Sequence, residues 1–308
     1  MKIGIPRALL YYWYGHQWEA FWQSCGWETL VSSPTDRSML KAGSAVAVEE
    51  LCLPVKIFLG HVIWLAPLVD WVMIPHLIKV EANAYVCPKF MGLPDLVAHT
   101  VPEVKSKAVI VKVGPRQVDQ WRCLSTAALR LGVRSSVDLR KTILSQCKIP
   151  ALGIMDSFQD SSPVDSELTI GVFGHPYCLY DSCFNLDLLE ILHRNQVHFL
   201  TPELMPEDYR GKGCGKLEKE LFWTIGRVQL DALEWLLNRT EGPVDGFIQI
   251  TPFACGPEAL VGDLLERRIK AAGLPLLKLN FEEHSGEAGM ITRLEAFLDL
   301  IKFRRLVC

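Results

Sequence analysis

Short apolar runs along the chain alternate with longer segments in which apolar residues recur three and four positions apart. Four of these runs are bounded by turn-forming residues and lie at positions 2–6, 69–75, 168–174 and 244–250. Runs of this kind are typical of strands buried in a parallel sheet. The segment with Leu186, Leu189 and Leu192 has helical spacing, and Gly26 and Asn195 are predicted to end helices. Alternating strands and helices predict an α/β fold with doubly wound parallel sheets.

The two halves of the chain repeat one order of predicted elements. In each half a first strand is followed by a Tyr-rich turn, a helical segment, a second strand and a third strand. A cysteine with a nearby proline comes after the third strand, Cys87 in the first half and Cys255 in the second. The second and fourth strands are predicted at positions 27–31, 108–113, 197–200 and 274–279. The sequence therefore predicts two α/β domains related by an internal repeat.

A polar stretch with turn-forming residues separates the two halves. Residues 149–167 contain the segment Gln159–Pro163, which has the composition of a linker. The length of 308 residues is sufficient for two domains that each bury a core. We place the domain boundary near residue 160, with an N-terminal domain at 1–160 and a C-terminal domain at 161–308.

The overall composition is that of a globular protein. Apolar residues make up 49% of the chain and charged residues 22%, and the nine tryptophans are predicted to lie in the core and at interfaces. A net charge of −3 gives no electrostatic basis for a nucleic-acid or membrane-surface partner. No apolar run reaches the roughly 20 residues of a membrane span. The N-terminus enters a strand pattern at once, so we expect no signal peptide and a cytoplasmic protein.

Three of the ten cysteines occupy positions that favour a metal site. Cys87 and Cys255 follow matching strands, and Cys52 begins a helix-like run. Ligands bind beyond the carboxyl ends of strands in such sheets, and a helix start favours the thiolate. Without a C-x-x-C pair, zinc ribbons and bacterial ferredoxin motifs are excluded. Three convergent thiolates would suit an iron–sulfur cubane with one open iron, and scattered buried thiols are the alternative.

Three histidines beside glycines offer candidate general acids, because imidazole titrates near neutrality. They are His61, His175 and His284, and the last is flanked by Glu283 and Glu287. A neighbouring carboxylate could orient the His284 ring or shift its pKa. The alternative is that each histidine is structural and each carboxylate a solvated loop residue. The chain has neither a dinucleotide fingerprint nor a P-loop motif, so we expect no nucleotide site.

Six short motifs spread over both halves carry a resemblance to a known family. They are KIGIPRALL at 2–10, ELCLPVK at 50–56, YVCPK at 85–89, GHPY at 174–177, FACGPE at 253–258 and EHSGEAG at 283–289. Together they resemble the 2-hydroxyacyl-CoA dehydratase superfamily, especially its branch of double-cubane-cluster proteins. The likeness is greatest to the uncharacterised domain often fused to the ATP-dependent activases of that system.

The resemblance implies flavodoxin-like domains and a [4Fe-4S] cluster on three cysteines, here Cys52, Cys87 and Cys255. We expect this cluster to lie in the cleft between the domains. In the family, a separate ATP-dependent activase of actin-like fold supplies one low-potential electron. The dehydratases pass this electron to a CoA thioester. In the double-cubane branch two cubanes share a bridging sulfide, as an [8Fe-9S] cluster, and small molecules are reduced.

The chain departs from the family pattern in three respects. It contains no activase domain, so we expect the electron donor to be a partner. It is shorter than typical dehydratase subunits, which counts against a CoA thioester as substrate. Cys178 stands where the family pattern leads us to expect Asn, and together with Cys183 it is a further candidate ligand.

The leading hypothesis is an iron–sulfur enzyme that reduces or dehydrates a small molecule. His175, His284 and Glu287 are the candidates for proton delivery, and an ATP-dependent activase or reductase supplies the electron. A homodimer, or a heteromer with a related subunit, would bring two clusters together. A non-catalytic scaffold or electron-transfer subunit is the first alternative, although electron carriers usually close all four ligand positions. A metal-free α/β protein that binds a small molecule is the second.

Overall fold

The computed structural model describes residues 1–79, 83–113, 117–133 and 166–307, without the side chains of residues 117–120. These residues fall into two units, one with residues 1–133 and 222–224 and the other with residues 166–221 and 225–307. The predicted linker at 149–167, except for its last two residues, and the boundary near residue 160 lie outside the described residues.

The first unit contains a four-stranded parallel sheet connected by helices. Its strands are β1 (Lys2–Ile5), β2 (Glu28–Val31), β3 (Trp71–Leu77) and β4 (Ala108–Val113). Its helices are α1 (Tyr11–Ser24), α2 (Arg37–Val46), α3 (Leu53–Leu65), α4 (Pro88–Met91), α5 (Leu93–Thr100) and α6 (Gln117–Arg130), with a 3-10 turn at Pro102–Val104. The strand order is β2-β1-β3-β4, and every pairing is parallel.

The second unit repeats this sheet. Its strands are β5 (Leu168–Phe173), β6 (Val197–Leu200), β7 (Gly246–Pro252) and β8 (Leu276–Phe281). Its helices are α7 (Pro176–Leu179), α8 (Ser182–Asn185), α9 (Leu188–Arg194), α10 (Thr224–Asn238), α11 (Gly256–Ala271) and α12 (Glu287–Val307), with 3-10 turns at Pro202–Leu204, Glu207–Tyr209 and Cys214–Lys216. The order β6-β5-β7-β8 is again parallel throughout, so the prediction of two flavodoxin-like sheets is confirmed.

The same aspartate contact precedes the third strand of each unit. The backbone N–H of Lys2 donates to Asp70 Oδ2 at 2.8 Å, and the N–H of Asp70 donates to the Lys2 carbonyl at 3.0 Å. In the second unit the N–H of Thr169 donates to Asp245 Oδ2 at 2.7 Å, and the N–H of Asp245 donates to the Thr169 carbonyl at 2.8 Å. These matched hydrogen bonds fix equivalent registers and confirm the internal repeat.

Local signals account for several helix ends. Asp36 caps α2 by accepting the Met39 N–H at 2.8 Å, and Asp181 caps α8 by accepting the Phe184 N–H at 3.0 Å. Gly26 has a φ of +76° just beyond α1, and Asn195 is the C-cap of α9. Both predicted helix ends are therefore confirmed.

Large side chains fill the interior of each unit. In the first unit Trp18, Phe21 and Trp22 are almost completely buried, and their rings pack within α1 and against neighbouring indoles. In the second unit a continuous cluster includes Phe173 and Phe247, whose ring centroids are 5.6 Å apart. The prediction that the tryptophans contribute to the core is confirmed for the three on α1, Trp13, Trp18 and Trp22.

The predicted helix through Leu186 is interrupted in the structure. Leu186 and Asp187 both have positive φ, at 54° and 59°, and they separate α8 from α9. The Asn185 amide stabilises this break, because its Nδ2 donates to two carbonyls of α7 and its Oδ1 accepts the Leu188 N–H at 3.2 Å.

In the part of the chain that the structure describes, no helix is long and apolar enough to cross a membrane.

Candidate functional site

Each of the three predicted cysteine ligands is the N-cap residue of a helix. Cys52 precedes α3, Cys87 precedes α4 and Cys255 precedes α11, and a proline lies at the first or second helical position in every case. None of the three side chains accepts a capping hydrogen bond from its helix. The free N–H groups and the dipole of a helix start favour a thiolate, most strongly for the longer helices α3 and α11.

Cys52 and Cys87 lie in the same neighbourhood of the first unit. Burial raises the pKa of the Cys52 thiol, the ammonium of Lys89 acts to lower it, and Cys87 acts to raise it. Lys89 is held in place because its Nζ donates to the Glu50 carbonyl at 2.9 Å. The structure therefore brings two thiols and a cation together, which is an arrangement that suits anionic sulfur ligands.

The backbone that leads to Cys87 is anchored by a short parallel bridge. The N–H of Tyr85 donates to the Phe222 carbonyl at 2.9 Å, and the N–H of Thr224 donates to the Tyr85 carbonyl at 3.0 Å. The rings of Tyr85 and Phe222 are stacked with centroids 4.7 Å apart. These contacts hold the segment two residues before Cys87 within the first unit.

Helix α3 takes its position from a close approach to α2. A Cβ atom added to Gly60 would overlap the Met39 carbonyl, and one added to Gly43 would overlap the Lys56 carbonyl. Neither glycine has positive φ, so the requirement for glycine comes from this backbone contact. Because Cys52 is the N-cap of α3, the glycine contact also sets the position of this thiol.

Cys255 belongs to the second unit and lines a cavity of about 560 Å³ at the start of α11. The residue before it, Ala254, has a φ of +62°, a conformation that costs energy for a residue with a Cβ. Gln249, Lys278 and Asn280 contribute polar groups to the same lining. The strained turn directs the chain from β7 into α11 at the predicted ligand.

A buried polar chain lies beneath the start of α11. The hydroxyl of Tyr177 is 3.0 Å from His175 Nδ1, and His175 Nε2 is 3.1 Å from Glu258 Oε2. Burial lowers the pKa of His175 against the opposing effect of Glu258. A neutral ring in this setting accepts from Tyr177 and donates its Nε2–H to the carboxylate.

Two glutamines complete this hydrogen-bonded series of buried side chains. Gln229 Nε2 donates to Glu258 Oε2 at 2.9 Å, and Gln249 Nε2 lies 3.4 Å from Glu258 Oε1. Sequence reasoning did not select Gln229, Gln249 or Glu258 as site residues. A signal was present for Gln249, because a polar residue inside an otherwise apolar strand needs a buried hydrogen-bond partner.

The other predicted site residues lie elsewhere. His284 is exposed in the turn after β8, and Glu287 is exposed in the first turn of α12. Neither forms a hydrogen bond or ion pair with the described residues. The structure therefore does not join them to the hydrogen-bonded series of side chains that includes His175. Cys178 is completely buried in α7, and Cys183 is half-buried in α8.

His61 is a buried histidine of the first unit. Its Nδ1 is 2.8 Å from Ser32 Oγ and its Nε2 is 2.9 Å from Thr35 Oγ1. Burial and, next, the charge of Arg7 lower its pKa to about 4, although Asp36 acts in the opposite direction. The ring is therefore neutral at physiological pH, which argues against a role as a general acid.

The low pKa of His61 predicts a loss of stability in mild acid. An unfolded histidine titrates near 6.5, so the unfolded chain takes up the proton first as the pH falls. The stabilising contribution is complete above about pH 6.5, and we expect about 2 kcal/mol of it to be lost between pH 7 and about pH 5. Urea unfolding at several pH values should show this slope, and His61→Gln should remove that part of it. An identical slope in the two proteins would contradict the prediction.

In the described ranges no group of three or more His, Cys, Asp or Glu side chains is arranged to hold a metal ion. The two thiols of the first unit fit the chemistry of an iron–sulfur ligand set, since Cys87 and Lys89 both act electrostatically on Cys52 and both cysteines stand at helix starts. This fit concerns Cys52 and Cys87, and Cys255 remains a predicted third ligand.

Comparison with known protein families gives a match over most of the chain. Residues 2–205, about two thirds of the chain, match the family described as the CoA enzyme activase uncharacterised domain (DUF2229). No curated protein matches the chain. The matched span contains Cys52, Cys87 and His175 but neither Cys255 nor His284. The match confirms the resemblance to the 2-hydroxyacyl-CoA dehydratase superfamily, and the chain belongs to the family of the CoA enzyme activase uncharacterised domain.

Proposed function

We propose that the chain is an iron–sulfur redox protein that binds a [4Fe-4S] cluster through Cys52, Cys87 and Cys255. The grouping of Cys52, Cys87 and Lys89 at two helix starts carries the proposal. Burial makes the Cys52 thiolate costly to form, and the Lys89 cation and the free N–H groups of the helix start offset part of that cost. When bound, the cluster would supply one-electron chemistry at an iron with an open coordination position.

The residues of the chain itself have distinct roles in this proposal. Lys89 favours the thiolate form of Cys52. The close contacts of Gly43 with the α3 backbone and of Gly60 with the α2 backbone hold that cysteine in place. In the second unit the hydrogen-bonded side chains of Tyr177, His175 and Glu258 position the first turn of α11 and therefore Cys255. His175 is buried and acts as a positioning residue that holds its proton at Nε2.

Family membership supports a partner as the source of electrons. We propose that a separate ATP-dependent activase or reductase of actin-like fold supplies a low-potential electron, and that a small molecule is reduced or dehydrated. A shared [8Fe-9S] cluster would require a second chain, as a homodimer or as a heteromer with a related subunit. A non-catalytic electron-transfer subunit remains the alternative within this redox proposal.

A metal-free small-molecule binder is the second candidate function. It is favoured by the lack of any group of three potential metal ligands in the part of the chain that the structure describes. In this case Cys52 and Cys87 would be ordinary thiols near a lysine. Iron content separates the two candidates directly, because the second predicts none.

Iron and acid-labile sulfide per chain, measured on protein purified without oxygen, test the redox proposal. We expect about four irons per wild-type chain and almost complete loss in Cys52→Ser, Cys87→Ser and Cys255→Ser. Cys25→Ser and Cys214→Ser are matched controls, since burial raises the pKa of each thiol to about 11 and neither thiol stands at the start of an α-helix. Wild-type iron in the site variants, or iron-free wild type after reconstitution, would contradict the proposal and favour the metal-free candidate.

A further inference from the structure

A second cavity, of about 480 Å³, lies within the first unit between β3, β4, α5 and α6. Its volume is in the range of small-molecule sites. Its lining includes His76, Asp95, Ile110, Lys112, Thr126 and Arg130. None of the three proposed cluster ligands contributes to it, so any ligand that it takes is independent of the redox proposal.

Part of the cavity lining lies near the carboxyl ends of two adjacent strands. His76 is the penultimate residue of β3, and Lys112 is the penultimate residue of β4. The two residues are register partners on adjacent parallel strands. Open α/β sheets bind ligands beyond the carboxyl ends of their strands, so the position favours a binding site.

Among the described residues, no carboxylate pairs with the two cations of this cavity. Neither Lys112 nor Arg130 forms an ion pair or a hydrogen bond with another described residue. Asp95 is the acidic residue of the lining, and it lies too far from both cations for an ion pair. Two permanent positive charges on a concave surface attract an anion of matching size.

The repeat provides an internal comparison. Thr251 and Asn280 are register partners at the positions of β7 and β8 that correspond to His76 and Lys112, and they line the cavity near Cys255. The lysine of that second cavity, Lys278, is neutralised by Glu266 at 2.7 Å. The two cavities thus share a location in the fold, and the one in the first unit alone carries unpaired cations among its described lining residues.

We propose that the cavity of the first unit binds an organic phosphate monoester. Arg130 and Lys112 would bind the phosphate oxygens, and the His76 ring would add an N–H donor. Ile110 lines the cavity and is 50% exposed, and it offers apolar surface to the organic part of the ligand. Two cations match the dianion of a phosphate monoester better than the single charge of a carboxylate.

Calorimetric titration of the full chain with phenyl phosphate, inorganic phosphate and benzoate tests this inference. We expect saturable binding of phenyl phosphate, roughly tenfold tighter than that of either comparison compound. Lys112→Gln and Arg130→Gln should each weaken it about tenfold, whereas Ile110→Ala should bring phenyl phosphate towards inorganic phosphate.

Lys278→Gln is the matched control, because it removes a lysine from the corresponding cavity of the second unit. It should leave the affinity for phenyl phosphate unchanged. The inference is overturned if phenyl phosphate does not bind, if benzoate binds as tightly, or if Lys278→Gln weakens binding as much as Lys112→Gln. Thermal unfolding of each variant separates lost binding from lost folding, and iron content has no part in the readout.

Discussion

Replacement of Glu258 by Ala is expected to lower the free energy of unfolding by about 3–5 kcal/mol. Glu258 is fully buried and accepts from His175 Nε2 at 3.1 Å and Gln229 Nε2 at 2.9 Å, with Gln249 Nε2 at 3.4 Å. Removal of the carboxylate leaves these donors without their acceptor inside the protein. A buried polar group that loses its partner costs far more than an exposed one, which water can solvate.

Urea unfolding monitored by circular dichroism measures this effect. Glu287→Ala is the control, because Glu287 also lies in the first turn of a helix but is exposed and unpaired within the described residues. It should change the free energy of unfolding by no more than about 0.5 kcal/mol. Equal effects of the two substitutions would show that the buried hydrogen bonds of Glu258 do not stabilise the second unit.

Gly60→Ala is expected to destabilise the protein by about 2–3 kcal/mol or more. The new Cβ would overlap the Met39 carbonyl, so α2 and α3 would have to move apart. Backbone atoms cannot rotate away from such an overlap as the end of a flexible side chain can. Because Cys52 is the N-cap of α3, we also expect this variant to retain less iron than wild type.

Gly289→Ala is the matched control for this substitution. Gly289 also lies in a helix, α12, and open space surrounds the position of an added Cβ. Alanine is the better helix former, so stability should stay constant or rise by up to about 1 kcal/mol. A similar loss in both variants would mean that the contact between α2 and α3 is not the cause.

The strands and their repeat could be predicted because buried parallel strands are short, apolar and bounded by turn residues. Strands at 108–113 and 197–200 were predicted with the observed bounds. The strand predicted at 274–279 lies at Leu276–Phe281, since the apolar pattern continues past its predicted end. The break at Leu186 was missed because it depends on hydrogen bonds from the Asn185 side chain.

The candidate site was predictable only in part. Helix starts at Cys52, Cys87 and Cys255 follow from local signals, namely a nearby proline in every case and a preceding strand for Cys87 and Cys255. Contacts between distant side chains carry no such signal. Glu258 meets His175 across 83 positions and Gln229 across 29, so only the folded chain shows that they form one buried group.

Native mass spectrometry of the full chain, purified and reconstituted without oxygen, tests the central claim most directly. The proposal predicts a folded species heavier than the bare chain by about four iron and four sulfide atoms, or a dimer with a larger shared cluster. The added mass should disappear in Cys87→Ser and persist in Cys25→Ser. A folded wild-type species with the mass of the bare chain, after reconstitution with ferrous iron and sulfide, would contradict the account.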